Sequence, residues 1–407
     1  MTAESQHLPL EGLLVVELTR VIVGPAIGRT LADFGATVIR VQSAHFPDFG
    51  GSGLGTRDPG PGGGSMGRWN FNKKSITLNL RNADGRELLD RLLRKADVFI
   101  ENNAGGAIDR LGYGYDHVSS VNPRIIMVST SMFIGFDPWS RYRAYGNQTA
   151  ALMGFQSLVG YEGDTEVNAM PGPYTDFTSP PLATTAIMAA LRHRRKTGRG
   201  QYIRQGQGQS VMLLMAGLLL GHQKNGIGTR YAHFSNRDAE MSPHGCFEAS
   251  DGRWLAIAVR HEDDWEALCG AAGWNDLATD ELLRDVDRRR EQQDEIEARV
   301  EEWVLSQDSE TALTLLHAAG VPVGLVVEPD ELPGHPQFVA LNAWEDATGR
   351  KGEHYSVHNL PYRISGVTPR HWSAPTAVGE DTFEILTQLL DVDEDKIASL
   401  YASGVLD

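Results

Sequence analysis

The residues best placed to do chemistry lie in one stretch. Pro171-Gly-Pro-Tyr-Thr-Asp176-Phe-Thr-Ser-Pro-Pro-Leu182 is punctuated by proline and glycine and carries a single acid, Asp176. An apolar run, Ala183-Thr-Thr-Ala-Ile-Met-Ala-Ala-Leu191, follows it, and Arg192-His-Arg-Arg-Lys-Thr-Gly-Arg-Gly-Gln201 closes it. This predicts a helix entered just after Asp176 and ended on a basic turn with a glycine cap. A carboxylate at a helix entrance is favoured by unpaired N–H groups and by the positive end of the dipole. It serves there as a cap or as a nucleophile, and these residues alone leave both open. The basic turn Arg192 to Arg199 likewise reads as a dipole complement or as a phosphate contact.

Other motifs fail on context. Gly62-Gly-Gly-Ser-Met-Gly67 has the spacing GxGxxG, and Gly63 to Gly67 has the spacing GxSxG. Both chemistries need a preceding strand, whereas Thr56-Arg-Asp-Pro-Gly-Pro61 precedes them. The glycine-rich patch Gly50 to Gly67 therefore reads as a loop over a site. The 13 histidines form no HExxH or HxH pattern, and Cys246 and Cys269 have no metal-ligand or disulfide spacing. No metal, nicotinamide or flavin is expected.

The elements that must position Asp176 follow from periodicity. Leu13–Leu18 reads as a buried strand, Gly24-Pro25 as a break, Ala26–Phe34 as a helix capped by Gly35, and Ala36–Val41 as the next strand. That is a βαβ unit, which implies a doubly wound parallel α/β sheet. Leu88, Leu89, Leu92 and Leu93 mark a helix, and residues 97–101 and 124–129 mark further strands. Residues 1–210 read as the first part of a large α/β domain and 211–232 as a linker helix. Residues 233–330 read as a small α+β domain. It has a hairpin over an Asp-Gly turn at 251–252, a charged helix burying Ile296, Val300, Trp303 and Val304, and a strand at 320–327. Residues 331–407 read as a linker and a return to the large domain, with Phe383, Leu386, Leu389 and Leu390 on one helix.

Composition narrows the function classes. The chain has 407 residues, 41% of them hydrophobic and 22% charged, which suits a globular protein of two domains. Fifty-three acidic residues against 37 basic give a net charge of −16. That surface repels nucleic acid and anionic membrane while leaving room for a local basic pocket. The N-terminus lacks a signal-peptide pattern, and the longest apolar run, Val211 to Leu220, is too short to span a bilayer. The expected location is cytoplasmic.

Several blocks, taken in order, resemble a known family. Pro9-Leu-Glu-Gly12, Leu18-Thr-Arg-Val-Ile-Val-Gly24-Pro25 and Leu31-Ala-Asp-Phe-Gly-Ala-Thr-Val-Ile-Arg40 look like the opening of the class III CoA-transferases. Phe71-Asn-Lys-Lys74, Ala96-Asp-Val-Phe-Ile-Glu-Asn102, Ile108-Asp-Arg110-Leu-Gly-Tyr-Gly-Tyr115, Lys196-Thr-Gly-Arg-Gly-Gln201 and Gly320-Val-Pro322 follow in family order. That family includes formyl-CoA transferase, carnitine CoA-transferase and α-methylacyl-CoA racemase. The resemblance implies a large Rossmann-like domain with an inserted small domain, in an interlocked homodimer or a heterodimer with a paralogue. It implies that Asp176 is the catalytic nucleophile, moving CoA from an acyl-CoA donor to a free carboxylic acid through a mixed anhydride and an aspartyl-CoA thioester. It implies CoA contacts from Arg40, Lys74 and Arg110, with Val21, Ile22, Asn102, Asn103, Arg143 and Tyr145 as further lining of the CoA and acyl site. The chain departs from the family pattern at Asn103-Ala-Gly-Gly106 and has no glycine loop of the formyl-CoA transferase kind near His244. That departure argues against formyl-CoA and oxalate. Two alternatives remain: a racemase-like enzyme and a non-catalytic CoA-binding partner subunit. The first is weakened because Tyr145 stands where the racemase has histidine, and a phenol is a poor base at neutral pH.

Overall fold

The computed structural model describes residues 8–43, 48, 64–134, 139, 142–160, 166–167, 172–226, 236–348, 352, 354–361, 363–367 and 372–406. Gly50 to Gly63 of the glycine-rich patch, and Pro171, lie outside the described residues. The chain divides into two compact units: Met1–Gln156, Ala169–Ile227 and Val339–Asp407 form one, Ser157–Asn168 and Gly228–Phe338 the other.

The first unit is α/β, as expected. Strands β1 (Leu14–Leu18), β2 (Thr37–Gln42), β3 (Lys74–Thr77), β4 (Val98–Glu101), β5 (Ile126–Ser131) and β6 (Gln201–Gly206) form one six-stranded sheet in the order β3-β2-β1-β4-β5-β6. Every pairing is parallel. The strands are apolar on both faces because helices cover both. Val16, Ile39, Phe99 and Met127 join one core, and Val15, Val38, Val98 and Ile126 join the other. This is the alternation a pleated strand imposes.

The helices of this unit are α1 (Val23–Asp33), α2 (Ala83–Lys95), α3 (Ala107–Arg110), α4 (Tyr115–Val121), α5 (Gly146–Leu152), α6 (Tyr174–Thr197), α7 (Gln207–Met212) and α8 (Ala216–Asn225). Two boundaries differ from the sequence prediction. Helix α1 takes Gly24-Pro25 into its first turn, where proline loses no intrahelical bond. Helix α6 opens at Tyr174 and carries Pro180 and Pro181 inside it, so Asp176 lies within the helix rather than ahead of it. The segment Gly64–Asn70 is a 3-10 helix, not the strand-to-helix turn that either glycine motif needs.

Two strands of the sheet escaped the sequence prediction. β3 and β6 are the sheet edges, and their sequences KSIT and QYIRQG are too polar for a buried-strand signature. The hairpin Trp344–Thr348 with His354–His358 was also not foreseen. At the C-terminus, Phe383 is exposed while Ile385, Leu386 and Leu390 are buried. A π-helical turn over Ile385–Leu389 resets the buried face, so the expected stripe begins two residues late.

The second unit has a three-stranded antiparallel sheet, β7 (His244–Glu248), β8 (Trp254–Ala258) and β9 (Val323–Leu325). Helices Glu262–Ala272, Gln293–Leu305 and Ser309–Ala319 pack on it, burying Trp265, Ile296, Val300, Val304 and Leu316. Arg289 is wholly buried there. Its guanidinium donates to the carbonyls of Ser242, Leu283, Arg284 and Arg260.

One polar contact inside the first unit has structural weight. Glu17 stands in the apolar strand β1 with no exposure, and Lys73 Nζ lies 2.7 Å from its Oε1. The ammonium also donates to Pro25 O at 2.8 Å and to Asn70 Oδ1 at 3.3 Å. Helix α1 passes so close that a Cβ on Gly28 would meet Glu17 Oε2 at 1.9 Å. Burial lowers the Lys73 pKa to about 8, against the opposing pull of Glu17. Lys73→Met would leave Glu17 buried without its cation and is expected to cost about 3–5 kcal/mol. Lys73→Met with Glu17→Gln should recover most of that in denaturant unfolding. A loss below about 1 kcal/mol for Lys73→Met would show that the pair does not hold the fold together.

Candidate active site

Open parallel sheets bind ligands beyond the carboxyl ends of their strands, where the strand order reverses. Here that point lies between β1 and β4. A cavity of about 570 Å3 occupies it, walled by Arg20 to Val23 after β1, Asn102 to Ala104 after β4, and Ser131 and Met132 at the end of β5. Tyr142 to Tyr145 ahead of α5 and Gly146 at its start, with Gln148, Gln207 and Asp176, complete the lining.

The walls are tied across long stretches of chain. Asn102 clamps the loop after β1: the Arg20 N–H donates to Asn102 Oδ1 at 2.7 Å, and Asn102 Nδ2 donates to Arg20 O at 2.7 Å. Asn103 is held by Glu101, whose Oε2 accepts the Asn103 N–H at 2.9 Å and Nδ2 at 3.1 Å. The entry to α5 is pressed on the entry to α6, since a Cβ on Gly146 would lie 2.5 Å from Pro173 Cβ. The Thr175 hydroxyl donates to Gly146 O at 3.3 Å.

Asp176 sits in the first turn of α6, 8% exposed. The N-cap is Pro173, with no side-chain capping bond, so Asp176 does not cap the helix. Its own N–H donates to Pro173 O at 2.8 Å. Among the described residues its carboxylate has one hydrogen-bond partner, the Thr175 hydroxyl, at a long 3.5 Å. Burial pushes its pKa up to about 7, opposed only by that hydroxyl. Pro180 and Pro181 lack the N–H groups that would bond back to the carbonyls of Asp176 and Phe177, which loosens the turn that carries the acid. The result is a desolvated carboxylate that pairs with no cation among the described residues and faces a cavity.

The structure brings Val21, Ile22, Asn102, Asn103, Arg143 and Tyr145 into this cavity with Asp176. Arg40 lies in an adjoining cavity of about 300 Å3, whose lining shares Arg20 and Asn103 with the first. Lys74 lines neither; it is half-buried on β3 and ion-paired with Glu384. Arg110 is exposed at the end of α3 and also lines neither. Ser131 and Met132 were missed by sequence reasoning, although the end of a parallel strand is itself a signal. Gln148 and Gln207 carry no local signal. Among the described residues no group of His, Cys, Asp and Glu could hold a metal ion, and no helix is long and apolar enough to cross a membrane.

Residues 10–382 match the family described as CoA-transferase family III. The chain is 28% identical to the succinyl-CoA–D-citramalate CoA-transferase of Chloroflexus aurantiacus, across 100% of both chains. It is 30% identical to the acetyl-CoA:oxalate CoA-transferase of Acetobacter aceti, covering 89% of this chain and 91% of that one. The solved structure of a CAIB/BAIF family protein from Brucella suis matches with a TM-score of 0.82 at 27% identity, covering 94% of this chain and 100% of the other.

The raised pKa of Asp176 has a consequence for stability. Between the ordinary aspartate value and about 7, the folded chain keeps a proton that the unfolded chain releases. Stability therefore falls as pH rises through that window, and the full penalty is present above it. Asp176→Asn removes the penalty. It should match the wild type near pH 4 and exceed it at pH 8 by on the order of 2 kcal/mol. Thermal unfolding at the two pH values checks this; equal shifts at both would show that the carboxylate is not desolvated.

Proposed function

The chain belongs to CoA-transferase family III, and from that premise we propose that Asp176 carries the CoA transfer as a covalent nucleophile. The enzyme moves CoA from a CoA thioester to a carboxylic acid. The observation that carries the reading is the isolation of Asp176. Among the described residues lining the cavity it is the only acid, and no histidine lies beside it.

The steps balance without a redox or metal partner. A carboxylate oxygen of Asp176 attacks the donor thioester, the C–S bond breaks, and CoA leaves as the thiolate. The thiolate attacks the aspartyl carbonyl of the resulting anhydride, and the donor acid leaves with the bridging oxygen. The acceptor carboxylate attacks the aspartyl-CoA thioester and again frees the thiolate. The thiolate then takes the acceptor's acyl group and restores Asp176. One difficult exchange becomes four easier displacements. Burial keeps water from the anhydrides. Ile22 and Val23, at the start of α1, line the cavity. First-turn N–H groups lack intrahelical acceptors, so they are the candidate donors to the developing oxyanions.

The nucleotide of CoA is read as lying toward Arg40, because the Arg40 cavity and the Asp176 cavity share Arg20 and Asn103. Lys74 and Arg110 remain proposals from resemblance alone. A second copy of the chain is the proposed partner, since Leu213, Leu214 and Leu220, in and just ahead of α8, are more than half exposed. A racemase would need acid/base groups on two faces of the substrate. Among the described residues the lining offers Asp176 and no second acid or histidine, which weighs against it.

Asp176→Ala should lower CoA exchange by roughly a thousandfold or more while CoA binding stays within about threefold. Turnover retained within about tenfold would remove Asp176 as nucleophile. In the wild type, kcat/KM for the acyl-CoA should rise with pH and level off above about 7, since only the carboxylate attacks.

A further inference from the structure

The cavity next to that of Asp176 has a different electrostatic character. Among the described residues Arg20, Arg40 and Arg81 line it with a single acid, Asp48. Both oxygens of Asp48 accept the Val21 N–H, at 3.0 and 3.2 Å, and one is ion-paired with Arg40. Arg40 is 8% exposed, and its Nε is buried with no acceptor among the described residues. Val21 is held at φ +65°, a left-handed conformation that β-branched residues avoid. A backbone N–H held in a strained conformation and a buried guanidinium with a donor to spare make a seat for an anion. The chain fills that seat with its own carboxylate.

We propose that Asp48 stands in for a phosphate of CoA, and that CoA binds by displacing the Asp48 carboxylate from Arg40 and the Val21 N–H. The identity of the ligand rests on the CoA-transferase reading above. A phosphate brings more charge and more acceptor oxygens than a carboxylate, so it can take the Val21 N–H and also the unused Arg40 Nε. The carboxylate is the weaker anion and yields, but its like charge opposes the newcomer. Asp48 is therefore a built-in competitor that lowers affinity for the nucleotide end of the substrate. Val21 also lines the Asp176 cavity, so the exchange of anions takes place on a strained residue beside the nucleophile.

The test is calorimetric titration of the wild type and Asp48→Asn with CoA, pantetheine and inorganic pyrophosphate. Asparagine keeps an acceptor for the Val21 N–H and drops the charge. Asp48→Asn should bind CoA and pyrophosphate about tenfold more tightly and pantetheine unchanged. Unchanged or weaker binding of both CoA and pyrophosphate would overturn the proposal, as would an equal gain for pantetheine. Pyrophosphate gaining while neither protein binds CoA would keep the anion seat and overturn both CoA as its ligand and the CoA-transferase reading. Asp48→Ser carries the same expectations where Asp48→Asn folds poorly, and Arg40→Met should abolish pyrophosphate binding.

Discussion

A buried ion pair, Lys73 with Glu17, fixes the ground on which the site stands. Its cation approaches from the segment ahead of β3, its anion lies in β1, and the Pro25 carbonyl of α1 accepts from the same ammonium. Lys73 is thereby tied to β1 and to the start of α1, the two elements that flank the loop after β1. Taking two charges out of water is costly, and mutual attraction offsets the cost only where further polar groups satisfy the ions. Lys73 meets that condition with two additional acceptors. The loop that results, Arg20 to Val23, is then closed from the other side by the Asn102 amide. The Asn102 clamp acts on the Arg20 backbone, and Lys73 reaches the Pro25 carbonyl.

Around this wall the acids are treated in opposite ways. Glu17 and Asp48 are each given a cation, whereas among the described residues Asp176 has only a hydroxyl as hydrogen-bond partner. A paired carboxylate is a stable structural part and a poor nucleophile. An unpaired, desolvated one is costly to ionise, and its charge is available to an incoming carbonyl carbon. On the proposed mechanism, the fold accepts a local loss of stability where the reaction needs a reactive anion, a common trade at functional sites.

Much of the sheet was legible because a parallel strand buried on both faces has to be apolar along its length. LVVEL, TVIRVQ and VFIE announce themselves, whereas the edges KSIT and QYIRQG do not. Asp176 was legible as a singular residue through its proline-rich setting, yet those same prolines hid the true start of α6. Whether it caps the helix was undecidable locally, because that depends on the folded N-terminus, where Pro173 is the N-cap and no side-chain capping bond forms. Asn102 was expected at the site from family likeness, but its clamp on Arg20 spans 82 residues, and no local pattern encodes such a pairing. The same holds for Arg40 and Asp48, whose mutual neutralisation appears only when the chain is folded.

The most direct test of the central claim follows oxygen atoms. The protein is given an acyl-CoA and an acceptor acid labelled with 18O in its carboxylate, and the peptide containing Asp176 is then weighed. Transfer through the aspartyl carboxylate deposits acceptor oxygen in Asp176, so that peptide should gain mass while the released donor acid carries oxygen from the protein. A direct exchange between the two acids would send the label into the donor acid and leave the Asp176 peptide unlabelled, and that result would contradict the account.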